Sequence, residues 1–124
     1  MAYIREKELS HRILGCAFRV YNELGNGFLE KVYENALVHE LRKNGLHPEA
    51  QKKIEVYYDG VCVGEYFTDV VVNDRVILEL KVCDGIAPIH EAQLLHYLKA
   101  TGYRLGYVLN FGSEGKLEFK RIVL

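Results

Sequence analysis

The sequence predicts a mixed α/β domain in which a central mixed β-sheet is flanked by helices, in the order helix, helix, three strands, helix, two strands. Three observations carry this expectation. Helical periodicity runs through the first third, strand-like patterning replaces it in the middle, and a strand–helix–strand step follows. At 124 residues the chain fits one domain spanning 1–124.

From about Ile4 to Leu24, the residues Leu9, Ile13, Ala17, Val20 and Leu24 recur at near-helical spacing, and Gly25 offers a stop. After a break at Asn26-Gly27, a second helix is expected from about Phe28 to Asn44. Leu29, Val32, Tyr33, Ala36, Leu37 and Leu41 form its stripe, and Gly45 ends it. Helices joined this tightly pack as a hairpin. Ile54 to Tyr58 is β-prone, and Asp59-Gly60 is a hairpin-turn signal. Val61 to Val72 reads as the next strand, bent at Gly64, and Val76 to Val82 as a third after the Asn73–Arg75 turn. The apolar content of these two strands predicts burial on both faces. Pro88 opens a helix that runs to Ala100 and closes at Gly102. Arg104 to Phe111 and Leu117 to Val123 are the last strands. The step from Val82 to Leu105 implies a right-handed crossover to a parallel neighbour.

A composition of 49% hydrophobic and 27% charged residues is that of a soluble globular protein. No apolar run approaches the roughly 20 residues that span a bilayer. Met1 to Ser10 mixes charges with isolated apolar residues, unlike a secretory signal, so a cytoplasmic location is expected. Cys16, Cys62 and Cys83 are odd in number and lack a CxxC spacing. That argues against a disulfide framework, a thiolate zinc site or an iron–sulfur cluster, and places them as small apolar residues in or near the core. The net charge of −1 is awkward for an enzyme acting on nucleic acid. A bound metal or a local basic face would reconcile the two.

Ile77-Leu78-Glu79-Leu80-Lys81-Val82 sets a carboxylate and an ammonium two residues apart in an apolar strand, on one face by alternation. Such a pair is ordinarily an ion pair or solvated. Here Asp69 interrupts the neighbouring run Tyr66 to Val72, and the register decides whether the charges meet. A two-residue loop at Asn73-Asp74 would put Asp69 opposite Leu78 and turn it from Glu79. A three-residue loop, Asn73 to Arg75, would pair Val72 with Val76 and bring Asp69 opposite Glu79. The two carboxylates would then lie roughly 5 Å apart. Charges that close repel unless a proton or a hard cation, Mg²⁺ or Mn²⁺, sits between them. Lys81 on that face would orient water and stabilise charge developing on a phosphate.

The chain resembles the GxxExxY family, a branch of the PD-(D/E)xK nuclease superfamily. Gly27-Phe28-Leu29-Glu30-Lys31-Val32-Tyr33 matches the naming motif, and Asp69 with Glu79-Leu80-Lys81 matches the D…ExK signature. Gln93-Leu94-Leu95-His96-Tyr97 resembles a Q-x-x-x-Y element. Thr68 stands where the signature's name has proline. The resemblance implies a restriction-endonuclease-like core and a metal-dependent nuclease acting on phosphodiester bonds, with DNA the expected substrate. Asp69, Glu79 and the backbone carbonyl of Leu80 would ligate Mg²⁺ or Mn²⁺. Lys81 would be the catalytic lysine, Glu30 an acidic residue from the preceding helix, and Gln93 and Tyr97 would line the site towards substrate. The alternative is a catalytically silent module of this fold that binds nucleic acid or a protein partner. A homodimer would supply gripping surface that a chain this small lacks.

Other residues allow plainer readings. Glu30 also suits a helix N-terminus, where negative charge is favoured. Tyr33 lies on an apolar stripe, and His90 reads as a first-turn surface residue. Tyr57, Tyr58 and Tyr66 are at home in strands, although tyrosines also stack on bases. Lys52, Lys53, Arg104, Lys120 and Arg121 are either a phosphate-guiding rim or ordinary solvated charges.

Overall fold

The computed structural model describes residues 3–124, and among these it contains three α-helices and one five-stranded sheet. Met1 and Ala2, the start of the stretch read as no secretory signal, lie outside the described residues. Helix α1 spans Glu6–Leu24 and α2 spans Glu30–Lys43. Gly25 ends α1 at φ 67°, a value costly for any residue with a Cβ, and its N–H donates to the Tyr21 carbonyl at 2.7 Å.

The second helix begins later than its apolar stripe suggests. Leu29 is extended (φ −72°, ψ 154°) at the N-cap. Leu29 is therefore 81% exposed and Val32 40% exposed, and the buried face is Tyr33, Glu34, Leu37, Val38 and Leu41. Tyr33 fixes this start. Its hydroxyl donates to the Gly25 carbonyl at 2.5 Å and accepts from the Phe28 N–H at 3.2 Å, while its ring stacks on Phe111 at 4.8 Å. Gly27 between them has φ 116°. The glycine and tyrosine of the G-x-x-E-x-x-Y run thus shape the loop that delivers Glu30 to the head of α2.

The strands are β1 (Pro48–Tyr58), β2 (Val61–Val72), β3 (Val76–Lys81), β4 (Leu105–Asn110) and β5 (Glu118–Val123). They lie in the order β1-β2-β3-β4-β5. All neighbours are antiparallel except β3 and β4, which are parallel and joined through helix α3 (Pro88–Thr101). This is the mixed sheet with flanking helices that the element order implies. β1 begins at Pro48, ahead of the expected Ile54, because pairing with β2 carries the polar stretch Glu49 to Lys53 into the sheet. The expected bend at Gly64 is a bulge: Val56 pairs with Gly64 and Tyr57 with Cys62, which skips Val63.

β3 is buried along its length except at Lys81. β2 departs from the expectation of two-sided burial. Only Thr68 and Val70–Val72 are buried, while Tyr66 is 50% and Phe67 56% exposed. The first half of β2 and the second half of β1 run on as a two-stranded arm with no third strand beside it.

The sheet separates two cores. Leu9, Ile13, Ala17, Leu37 and Leu41 of α1 and α2 pack on Val70, Val72, Val76, Leu78, Leu80 and Leu109. Leu94, Tyr97 and Leu98 of α3 pack on Ile54, Val71, Ile77 and Val108. Cys16 belongs to the first core, whereas Cys62 is exposed on the arm and Cys83 is half-buried in a loop, so the expectation of core cysteines holds for one of the three. No helix among the described residues is long and apolar enough to cross a membrane.

The end of β3 and the end of β4 meet without room for a side chain. A Cβ on Gly112 would stand 2.5 Å from the Cys83 nitrogen and 2.7 Å from its carbonyl oxygen, both backbone atoms that cannot swing aside. Gly112→Ala is expected to destabilise the fold by about 2–3 kcal/mol, the upper range for overpacking. Thermal unfolding measures it, and an unchanged midpoint would show that the two segments separate easily.

Candidate active site

The turn after β2 is the three-residue one. Asn73 and Asp74 take φ 53° and 52°, the Arg75 N–H donates to the Val72 carbonyl at 3.0 Å, and Val72 pairs with Val76. Pairing continues through Val71 with Ile77 and Val70 with Leu78, then stops. Beyond it, side chains take over the ladder. The Asp69 N–H donates to Glu79 Oε2 at 2.9 Å, and the Leu80 N–H donates to Asp69 Oδ2 at 2.8 Å. The Asp69 carboxylate thus takes the Leu80 N–H where a backbone carbonyl would have continued the ladder, Glu79 takes the Asp69 N–H, and the strands fork there.

The pleat also inverts at this point. Val70 belongs to the core under α1 and α2, yet Ile54, at a β1 position of the same parity as Val70's partner Ala50, belongs to the core under α3. Between them lies Gln51, at φ 55°, opposite Asp69. A left-handed residue within a strand breaks the alternation of side chains. Beside it, the Thr68 hydroxyl donates to Glu79 Oε2 at 2.5 Å, on the same oxygen that the Asp69 main-chain N–H reaches.

Glu79 is 4% exposed. Burial first, and the Asp69 charge second, push its carboxyl up to about 7, against the donors Thr68 and Asp69 N–H and the Lys81 ammonium. The Asp69 carboxyl is also raised, mainly by burial and then by Glu34, with the Leu80 N–H, Lys81 and Gln51 holding it down. Glu30 lies at the solvent edge, where partial burial and then the Asp69 charge raise it, while Lys81 lowers it. Lys81 is half-buried at the end of β3 and enters none of the ion pairs among the described residues.

Three contributors escaped the reading of the sequence. Glu34 is 4% exposed, paired with Lys31 at 2.6 Å and accepting from the Gln51 amide at 2.7 Å. It lies one turn after Glu30 on the same helical face, a spacing visible in the sequence. Gln51 and Thr68 carry no such signal. Tyr97 is nearly buried on α3, with its ring 5.8 Å from that of Tyr66. Burial, then Glu79 and Asp69, raise its hydroxyl, with Gln93 acting the other way. Gln93 and Tyr97 therefore sit on the α3 side of the acidic pair and Glu30 on the α2 side.

His90 caps α3, its Nδ1 accepting from the Ala87 N–H at 3.0 Å, in line with a first-turn role. The basic residues considered as a rim do not form one. Lys52 is paired with Glu49 and Asp74, and Lys53 with Glu65 at 2.9 Å, on one edge strand, while Lys120 and Arg121 lie on the opposite edge strand.

The donor chemistry fits a hard cation. Two hard-oxygen carboxylates sit together with raised affinity for a proton, and Glu79 Oε1 accepts no hydrogen bond among the described residues. The Leu80 N–H points towards β2, so the carbonyl of that residue leaves on the same side. Among the described residues no three His, Cys, Asp or Glu side chains form a metal-binding group. A cation here would need the Leu80 carbonyl, water or substrate oxygens besides the two carboxylates, which is how Mg²⁺ is commonly held.

Glu79 generates a pH-dependent stability. In the metal-free protein it keeps its proton to about pH 7, against an ordinary value of 4.5, so the folded state binds more protons across that window. Its contribution is full below about 4.5 and is lost as the pH rises through 7, on the order of 3 kcal/mol at the full shift. Metal-free wild type is expected to melt at lower temperature at pH 8 than at pH 5, and Glu79→Gln to flatten that slope. Parallel slopes in the two proteins would refute this assignment.

The fold occurs in known structures. It matches SSO0001 with a TM-score of 0.55 at 19% identity, over 75% of this chain and 48% of that one, so the chain spans about half the length of that relative. It matches LHK-Exo, an alkaline exonuclease from Laribacter hongkongensis, with a TM-score of 0.56 at 12% identity, over 98% of this chain and 72% of that one. At such identities the likeness is one of fold. No protein of curated function matches the sequence. The sequence profile of the PD-(D/E)XK nuclease superfamily, however, matches residues 7–122, and the chain with its forked acidic site belongs to that superfamily.

Proposed function

We propose that the protein is a metal-dependent nuclease of the GxxExxY branch that hydrolyses phosphodiester bonds in DNA. The observation that carries this reading is the pair Asp69 and Glu79 at the fork, with Lys81 unpaired beside it. Mg²⁺ or Mn²⁺ would supply Lewis acidity towards the phosphate and an acidified water. Asp69, Glu79 and the Leu80 carbonyl would hold the ion. Thr68 fixes the Glu79 carboxylate by its hydrogen bond, so Glu79 would present one orientation to the ion. Lys81 would hold the attacking water and stabilise the charge that grows on the phosphate oxygens. Glu30, at the solvent side, would accept a proton, and Gln93 and Tyr97 would bound the substrate on the α3 side.

Because Glu79 binds a proton up to about pH 7, protons compete with the cation for this carboxylate. Calorimetric Mg²⁺ affinity is expected to rise between pH 6 and 8 in wild type and to disappear in Asp69→Ala. Glu79→Ala and Lys81→Met are each expected to lower Mg²⁺-dependent cleavage of DNA by about a hundredfold or more while the circular dichroism of the fold is kept. Wild-type rates in either variant would remove the nuclease assignment.

A further inference from the structure

The arm and α3 border an open groove of 580 Å³. Val56, Val63 and Tyr66 line it from the arm, and His96, Tyr97 and Lys99 from the helix. Gln93 and Tyr97, which the proposed function sets at the substrate, also line this groove, and the Tyr66 ring lies 5.8 Å from that of Tyr97. We propose that this groove seats an unpaired DNA strand, with a base stacked on Tyr66 and Lys99 on the backbone, and that it thereby makes the enzyme selective for single-stranded over duplex DNA.

This inference rests on the nuclease reading, and it names the form of substrate for that same site. The chemistry of the lining decides the form. A duplex presents phosphates outward and keeps its base faces stacked inside, so its partners need many cations. Here Lys99 is the one lining ammonium, and apart from the Gln93 amide and the His96 imidazole the rest of the surface is aromatic and aliphatic. The arm's lysines do not repair that shortage, since Lys53 is already paired with Glu65 and Lys52 with Glu49 and Asp74. An unpaired strand offers what such a groove can bind: flat base faces for aromatic rings, at little electrostatic cost. Tyr66 is half exposed, so its ring has a face to offer. The hairpin arm that carries it is not covered by a third strand, which leaves the groove open along one side for the chain to run through.

The experiment is fluorescence anisotropy on the full chain in EDTA, with labelled oligo-dT of about 15 nucleotides and a duplex of equal length. Wild type is expected to bind the single strand about tenfold more tightly than the duplex. Tyr66→Ala should lose roughly tenfold on the single strand, the scale of one base–aromatic stack, and little on the duplex. Tyr66→Phe, which keeps the ring, should bind like wild type, and Lys99→Ala should weaken binding and flatten its salt dependence. Tyr66→Ala binding as wild type, a preference for duplex, or no binding of the single strand would overturn the proposal. So would a Tyr66-dependent dimer in sedimentation, which would give the groove to a second copy of the chain. Because the assay contains no metal, it separates the two readings. Strand binding without metal-dependent cleavage would sink the nuclease and keep the groove, and cleavage with no role for Tyr66 would do the reverse.

Discussion

Two backbone amides that the sheet leaves without a carbonyl find carboxylates instead, and the rest of the architecture follows from that substitution. The N–H groups of Asp69 and Leu80 are satisfied by Glu79 and Asp69. The ladder between β2 and β3 can therefore end at Val70 and Leu78 without leaving buried donors orphaned, which would otherwise cost a few kcal/mol. Freed from β3, β2 continues with β1 as an arm. Glu79 meanwhile is held in a nearly dry position, where its charge is expensive and its proton is retained to about pH 7. The same contacts that end the sheet thus create the acidic site. A site built this way is strained electrostatically rather than sterically, and a cation relieves what a proton otherwise relieves.

The fork needs bracing from outside the two strands. Gln51, in a left-handed backbone conformation on β1, is one brace. Its amide then reaches Glu34 on α2, whose second partner is Lys31. Tyr33, next to Glu34, ties the head of α2 to Gly25 and Phe28. A chain of contacts therefore runs from the loop before α2, through the helix, to the inverted pleat of β1 and the acidic pair. Glu34 is buried and paired with Lys31, and removing that lysine would leave a buried carboxylate without its counter-charge, so the network is costly to break in part. The spacing of glutamate and tyrosine in the G-x-x-E-x-x-Y run makes sense on these terms: one turn separates the residue facing solvent from the one that anchors the helix.

Much of this was legible in the sequence, for reasons that differ from residue to residue. Element order could be read because periodicity changes cleanly at Gly45, Asp59-Gly60 and Pro88. The pairing of β2 with β3 could be narrowed to two registers, and the odd one is present, since Asn73 and Asp74 tolerate positive φ. Leu29 and Val32 misled because a stripe does not reveal where a helix starts. Tyr33's hydrogen bonds accompany an extended Leu29, and only these first two residues of the stripe turn out of the core, while Tyr33, Leu37 and Leu41 stay in it. The early start of β1 was hidden because Glu49 to Lys53 has no alternating apolar pattern. Burial of β2 was overestimated because its apolar residues serve an arm rather than a central strand. Asp69, Glu79 and Lys81 could be picked out as charges interrupting apolar runs. Thr68 and Gln51 could not, because neither residue type marks an inverted pleat. Their part is set by tertiary contacts rather than local propensity.

A chain of net charge −1 proposed to act on a polyanion faces a balance that composition alone makes look unfavourable. At its centre two carboxylates repel phosphate, and on the arm the lysines are already committed to glutamates and Asp74. Long-range attraction is therefore weak, and neither the site nor the arm can hold substrate by charge alone. The molecule divides the problem by place. Charge is concentrated at the fork, where burial strengthens every interaction and a single cation can reverse the local sign. Contact area lies on the arm and α3, where aromatic faces would bind without needing phosphates at all. That division ties the two halves of the structure together. The ladder must break at Asp69 to create the site, and the same break releases the arm that stands beside it.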